Sequence, residues 1–80
     1  MKTDTPNSVD NELEALTEFE RGVFYAAYLI CVLHDEPGIA ADVIREANLD
    51  ASNIKSLDST EKNVLMMLNK TDGLTLRNEK

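Results

Sequence analysis

Apolar residues recur at steps of three and four through residues 18–33, which is the period of one face of an α-helix. The positions are Phe19, Val23, Ala26, Ala27, Ile30 and either Cys31 or Leu33 on one face, and Phe24, Tyr28 and Val32 on a second. Thr17 and Glu20 have the spacing of a capping box, in which each side chain accepts a hydrogen bond from the other residue's backbone N–H. The pattern therefore predicts a helix that is apolar almost all round and is buried by several neighbours or by another subunit.

Two further helices are predicted by the same period. Pro37 tolerates the first helical turn and opens a second helix with one apolar stripe, which Asn48 ends as a left-handed stop. The stripe consists of Ile39, Val43, Ile44 and Ala47. Residues 49–57 predict a short helix or a helical turn. The cap-like spacing of Asp58 and Glu61 predicts a last helix that runs to about Lys70, and residues 71–73 break it.

These elements predict an all-α fold, a small domain of three to four helices around a central apolar helix. Residues 1–11 are polar and charged, so they cannot offset the entropy of ordering, and we expect a flexible, disordered N-terminal tail. The helical domain then covers residues 12–73. For the C-terminal tail, residues 74–80, two interpretations remain open, fraying or docking of Leu74 and Leu76 on the core.

Charge narrows the classes of partner. Fifteen acidic and eight basic residues give a formal net charge of −7, which repels nucleic-acid phosphates and favours a basic partner or none. An acidic cluster near the N-terminus consists of Asp4, Asp10, Glu12, Glu14, Glu18 and Glu20. Such a cluster is typical of a solvated helix entry, stabilised by the helix dipole. The alternative is an acidic DNA mimic that binds a basic DNA-binding protein.

Three features favour a cytoplasmic protein that does not enter membranes. The longest apolar stretch, residues 23–33, has eleven residues, whereas a membrane span needs about 20. Cys31 is the single cysteine, so no internal disulfide can form and a reducing compartment is expected. The polar residues 1–11 also lack the pattern of a signal peptide.

Catalytic chemistry has few candidates in this sequence. Cys31 and His34 are three positions apart and form the one pair that suggests an enzyme or redox protein. Their more common interpretations are a small core residue and a partly exposed histidine near a helix C-terminus. The glycines are scattered and no metal-ligand spacing is present. We therefore expect no enzyme activity, no cofactor and no metal.

Residues 43–57 have the apolar spacing of a helix-turn-helix motif. The matching positions are Val43, Ala47, Leu49, Ile54 and Leu57, with Asn48 at the turn. The second helix would expose Lys55 as its single cation together with Asp50, which neutralises few phosphates. A structural corner that does not bind DNA is the favoured interpretation, and a transcriptional regulator is the alternative.

An interface is predicted around Gly22. A glycine inside a helix costs about 1 kcal/mol relative to alanine, and close approach of a partner helix is the simplest reason for it. Ala26 extends this small-residue patch. The aromatic residues Phe24, Tyr25 and Tyr28 are good interface anchors. The alternative is that the shorter helices and the tail cover the apolar helix within one chain.

Residues 19–49, FERGVFYAAYLICVLHDEPGIAADVIREANL, resemble a pattern in small acidic helical proteins of tailed bacteriophages and prophages of enteric bacteria. The resemblance implies a protein that acts in the cytoplasm of a bacterial host by binding host or phage proteins. It supplies no catalytic residues. The leading hypothesis is a non-enzymatic protein that binds another protein. A basic protein is one candidate for this partner. A second copy of the same chain, which would give a homodimer, is another.

Overall fold

The computed structural model describes residues 15–79, and these form three helices. They are α1 (Glu18–His34), α2 (Pro37–Glu46) and α3 (Ser59–Asp72). The prediction of an all-α fold is confirmed for this part of the chain. The predicted flexible tail, residues 1–11, lies outside the described residues. None of the three helices is long and apolar enough to span a membrane.

Local signals set the helix ends. The Thr17–Glu20 capping box is present, because the Glu20 N–H donates to Thr17 Oγ1 at 3.1 Å and the Thr17 N–H donates to Glu20 Oε1 at 2.9 Å. Asn48 follows α2 with a left-handed φ of 60°, as predicted for a stop. α3 ends two residues later than expected, because Gly73 takes the left-handed cap position with a φ of 75°.

Of the two predictions for residues 49–57, the short helix is wrong, and the segment forms turns instead. The Ser52 N–H donates to the Leu49 carbonyl oxygen and the Leu57 N–H donates to the Ile54 carbonyl oxygen, both at 3.1 Å. Between the turns, the backbone pairs with the segment after α3 in an isolated parallel bridge between Asn53 and Arg77. The Ile54 N–H donates to the Arg77 carbonyl oxygen at 2.7 Å, and the Arg77 N–H donates to the Ser52 carbonyl oxygen at 2.9 Å. Backbone N–H and C=O groups that would form hydrogen bonds within a helix therefore form them with a distant segment of the chain.

The segment after α3 is docked on the core and does not fray. Leu74 and Leu76 are each 4% exposed. Asn69 fixes the same segment from α3, since its side-chain oxygen accepts from the Leu76 N–H and its amide nitrogen donates to the Leu76 carbonyl oxygen, both at 2.9 Å. Of the two interpretations of the tail, docking is the one observed.

The core lies where α2, α3, residues 49–57 and the docked segment meet α1. Its buried apolar members are Phe24, Ala27, Ala40, Ala41, Ile44, Leu49, Ile54, Leu57, Leu65, Leu68, Leu74 and Leu76. Each helix packs against the other two. Only two residues of α1, Phe24 and Ala27, are buried. The most apolar helix therefore covers one side of the domain and is not enclosed by it.

Candidate protein-binding surface

One side of α1 carries no cover from the described chain. We call this side the outer face of α1. At about 100° per residue, its members lie on the opposite side of the helix from Phe24 and Ala27. They are Phe19, Gly22, Tyr25, Ala26, Leu29, Val32 and Leu33. The exposed fractions are 73% for Phe19, 52% for Tyr25, 48% for Val32 and 68% for Leu33.

Several large apolar side chains on one helix face form a patch of the kind that marks interaction sites on small soluble proteins. Residues 22–33 of α1 contain no aspartate, glutamate, lysine, arginine or histidine. Charged residues of α1 lie in its first turn, where Glu18, Glu20 and Arg21 surround Phe19. The middle of the outer face is therefore neutral in a strongly acidic chain.

Gly22 has no packing role within the described chain. A Cβ atom built on it would meet no heavy atom within 4 Å. Its backbone is ordinary helix, so no positive φ requires glycine there either. The helix thus accepts the conformational cost of a glycine at a position where its own neighbours do not require one.

The predicted interface residues separate into two groups. Gly22, Tyr25 and Ala26 are exposed on the outer face, and Tyr28 is half-buried against the core with its ring stacked on that of Tyr25, the centroids 6.0 Å apart. Phe24 was predicted as an interface anchor, and this is wrong because its side chain is fully buried in the core.

Phe19, Leu29, Val32 and Leu33 also belong to this surface, although their place on it was not predicted from sequence. All four were counted as core candidates or left out, because apolar spacing alone does not tell which side of an all-round apolar helix the rest of the chain covers. The signal that could have found them is the alternation of three- and four-residue steps that joins Phe19 and Leu33 through Gly22, Ala26 and Leu29.

An apolar groove of about 240 Å³ adjoins the outer face at Val32. It lies between the end of α1 and α3. The lining residues are Cys31, Val32, Asp35, Pro37, Val64, Met67, Leu68 and Thr71. Met67 is 61% exposed and extends the apolar surface from α1 onto α3. Only Cys31, Asp35 and Thr71 among the lining residues have a polar side-chain atom, so the groove suits an apolar group better than a charged one.

The Cys31 thiol has an environment that suppresses its reactivity. Burial, and secondly the carboxylates of Asp72 and Asp35, raise its pKa above the ordinary value. A nucleophilic cysteine needs the opposite, a cation or a helix N-terminus that stabilises the thiolate. His34, the partner suggested by sequence, is exposed at the end of α1. No group of three or more candidate metal ligands occurs among residues 15–79.

The predicted acidic surface is described only in part. Glu18 is exposed in the first turn of α1, and Glu20 is occupied by the capping box. Asp10, Glu12 and Glu14 lie outside the described residues. Another carboxylate, Asp58, caps α3 by accepting from the Glu61 N–H at 3.0 Å, and this hydrogen bond lowers its pKa. These carboxylates act at helix starts, where the dipole favours them.

The helix-turn-helix prediction fails at its second helix, because residues 49–57 form turns and a bridge. Several cations of the described chain are also engaged locally. Arg45 pairs with Asp42 at 3.2 Å and donates to the Asp72 carbonyl oxygen, and Arg77 pairs with Glu79 at 3.0 Å. No recognition helix is therefore present in residues 43–57.

A scan against protein-family models, a search of curated proteins and a search of solved structures each gave no significant match.

Proposed function

We propose that this protein modulates a host or phage protein by binding, without catalysing a reaction, and that the outer face of α1 is a protein-binding surface. The observation that supports the proposal is the exposure of Phe19, Tyr25, Val32 and Leu33 on one helix face, which carries no charged side chain from Gly22 to Leu33. Large apolar side chains of this kind, with a tyrosine among them, are typical of the centre of an interface.

The environment of Cys31 supports a binding role over a catalytic one. Its pKa is raised, so the thiol stays protonated at neutral pH. The groove beside Val32 is apolar and offers no set of convergent acid, base and nucleophile. Binding energy from apolar burial is what this surface can supply.

Photo-crosslinking in cells tests the proposal. Benzoylphenylalanine is introduced at Tyr25 on the outer face, and as a matched control at Asn63, which is exposed on α3. The chain is expressed in an enteric bacterium, the host implied by the resemblance. We expect covalent protein adducts from position 25 and none of comparable yield from position 63.

The adducts are identified by mass spectrometry. Recurrent adducts at position 25 with one defined mass support the proposal, whatever that mass is. An absence of adducts from position 25, or the same adducts from position 63, would overturn it.

A further inference from the structure

We propose that the partner of the outer face of α1 is α1 of a second copy of this chain, so that the two helices cross about a twofold axis near Ala26. This inference rests on the proposed function, because it names the occupant of the same surface. Unlike the proposed function, this inference predicts an assembly that the purified chain forms without any other protein.

The spacing of the exposed residues is that of a helix pair. Phe19, Gly22, Ala26 and Leu33, which are exposed, and Leu29, which is half-buried, follow one another at alternating steps of three and four, the spacing of the a and d positions of a heptad. We call this set the seam. The side of α1 that packs inside the chain uses other positions, Phe24 and Ala27. The seam is therefore a second helix-packing surface that the described chain does not use.

The sizes of the seam residues fit a symmetric crossing. Gly22 and Ala26 leave the middle of the seam without large side chains, and Phe19 and Leu33 stand seven residues to either side of Ala26. Helix axes approach to about 8–10 Å depending on the side chains at the contact, and small residues bring them closer. A crossing at Ala26 accounts for Gly22, whose missing side chain no contact within the chain explains.

Charge favours a second copy over a basic protein as the occupant. A basic partner is recognised by carboxylates within or around an interface, yet residues 22–33 contain no carboxylate. Two chains that each carry a formal charge of −7 repel one another, and the neutral middle of α1 is a surface at which they can touch without bringing carboxylates into contact.

The area also matches a small dimer. Taking about 150–250 Å² for a whole aromatic side chain and less for leucine, valine and methionine, the exposed fractions of the outer face and Met67 amount to about 600 Å². Specific interfaces bury about 600–1,000 Å² on each partner. Complete burial of this surface would only just reach the lower end of that range, which predicts a dimer of modest affinity.

Sedimentation velocity of the purified full chain tests the inference. Samples cover about 1 μM to 1 mM, each at about 0.05 M and about 0.5 M sodium chloride. We expect a monomer–dimer equilibrium that tightens at high salt, since salt screens the repulsion between two acidic chains. An interface with a basic partner would weaken under the same change.

Two charge substitutions locate the interface. Ala26→Glu places two like charges at the crossing and is expected to weaken dimerisation by about tenfold or more. Ile39→Glu is the matched control, because Ile39 is 52% exposed on α2 outside the seam, and it is expected to leave dimerisation unchanged. Circular dichroism establishes that each variant is folded. Leu33→Glu gives a second test if Ala26→Glu does not fold.

A monomer at every concentration and both salts would overturn the second copy as partner. Two results would contradict the seam as the dimer interface. One is equal weakening of the dimer by Ile39→Glu and Ala26→Glu. The other is a dimer that neither Ala26→Glu nor Leu33→Glu weakens. The proposed function fails separately, because it requires crosslinks at position 25. If position 25 gives adducts whose mass differs from that of two crosslinked copies, and the purified chain is strictly monomeric, only the second copy as partner is contradicted.

Discussion

Asn53 holds Glu79 by both polar atoms of its side-chain amide. Its Nδ2 donates to the Glu79 carbonyl oxygen at 3.0 Å, and its Oδ1 accepts from the Glu79 N–H at 3.1 Å. The same Oδ1 accepts from the Lys55 N–H at 3.2 Å, and Asn53 is only 6% exposed. One buried amide thus joins the segment before α3 to the segment after it.

Replacing Asn53 by alanine removes these three hydrogen bonds and leaves backbone groups without partners. We expect Asn53→Ala to lower the free energy of unfolding by about 1–3 kcal/mol, measured by urea denaturation. Asn63→Ala, at an exposed site on α3, is the control and should change stability by no more than about 0.5 kcal/mol. Equal effects of the two substitutions would contradict the role of Asn53.

Leu76 and Leu33 should contribute very differently to the free energy of unfolding of the single chain. Leu76→Ala creates a cavity in the core and is expected to cost about 2–4 kcal/mol. Leu33→Ala removes a side chain that is 68% exposed, and should cost under about 0.5 kcal/mol in dilute solution. Denaturation at low protein concentration compares them, and a larger loss from Leu33→Ala would show that the outer face supports the monomer.

Gly22→Ala should stabilise the single chain and weaken the dimer. The new Cβ meets no neighbour and improves helix propensity, worth about 0.5–1 kcal/mol. Gly73→Ala is the control with the opposite sign, because a φ of 75° disfavours any side chain. Denaturation below the dimerisation range measures the first effect and sedimentation measures the second. A Gly22→Ala dimer as tight as the wild type would contradict a close crossing at this position.

Asp58 at the start of α3 should make the stability of the fold depend on pH in the acid range. Its pKa is lowered in the folded chain, chiefly by the backbone hydrogen bond from Glu61. The ionised carboxylate therefore stabilises the fold above the unfolded pKa, and this contribution is lost as pH falls through the lower folded pKa, below about pH 4. Asp58→Asn keeps a capping side chain without this titration.

Thermal melts from pH 7 to pH 2 compare wild type and Asp58→Asn. The difference in melting temperature between them should shrink on acidification. Glu61 acts in the opposite sense, because burial and Asp58 raise its pKa. A gap that widens toward low pH would assign the acid sensitivity to another group.

Cys31 should react slowly with thiol reagents. Burial and the neighbouring carboxylates raise its pKa, and the thiolate is the reactive form. We expect its rate with a disulfide reagent at pH 7.5 to be well below that of glutathione, and to rise toward higher pH than the glutathione rate does. A faster reaction than glutathione would revive Cys31 as a functional nucleophile.

Local signals made the helix ends predictable from sequence. Thr17 with Glu20, Asp58 with Glu61, and Asn48 each act within a few residues, and each takes the predicted position. The pairing of Ile54 with Arg77 was not predictable in this way, because it joins residues 23 positions apart. The periodicity at 49–57 was apolar enough for a helix, but tertiary hydrogen bonds overrode the local preference.

The helix that carries the candidate surface was predictable from sequence, but the side of the helix that stays exposed was not. Phe24 and Leu33 are both large and apolar, and both fit a three- and four-residue spacing. Packing of α2 and α3 decides which of them is covered. The sequence nevertheless predicted that Gly22, Tyr25 and Ala26 lie together on α1, because helix geometry alone fixes that relation.

The docked segment after α3 also bears on how the chain folds during synthesis. A nascent chain that has grown only to Gly73 contains all the residues of α1, α2 and α3, but it lacks Leu74 and Leu76 and the strand-like partner of residues 50–54. Its core is open on that side. Cooperative folding should therefore wait until residues 74–79 have left the ribosome, and a released chain truncated after Gly73 should remain sensitive to protease while the full chain becomes resistant.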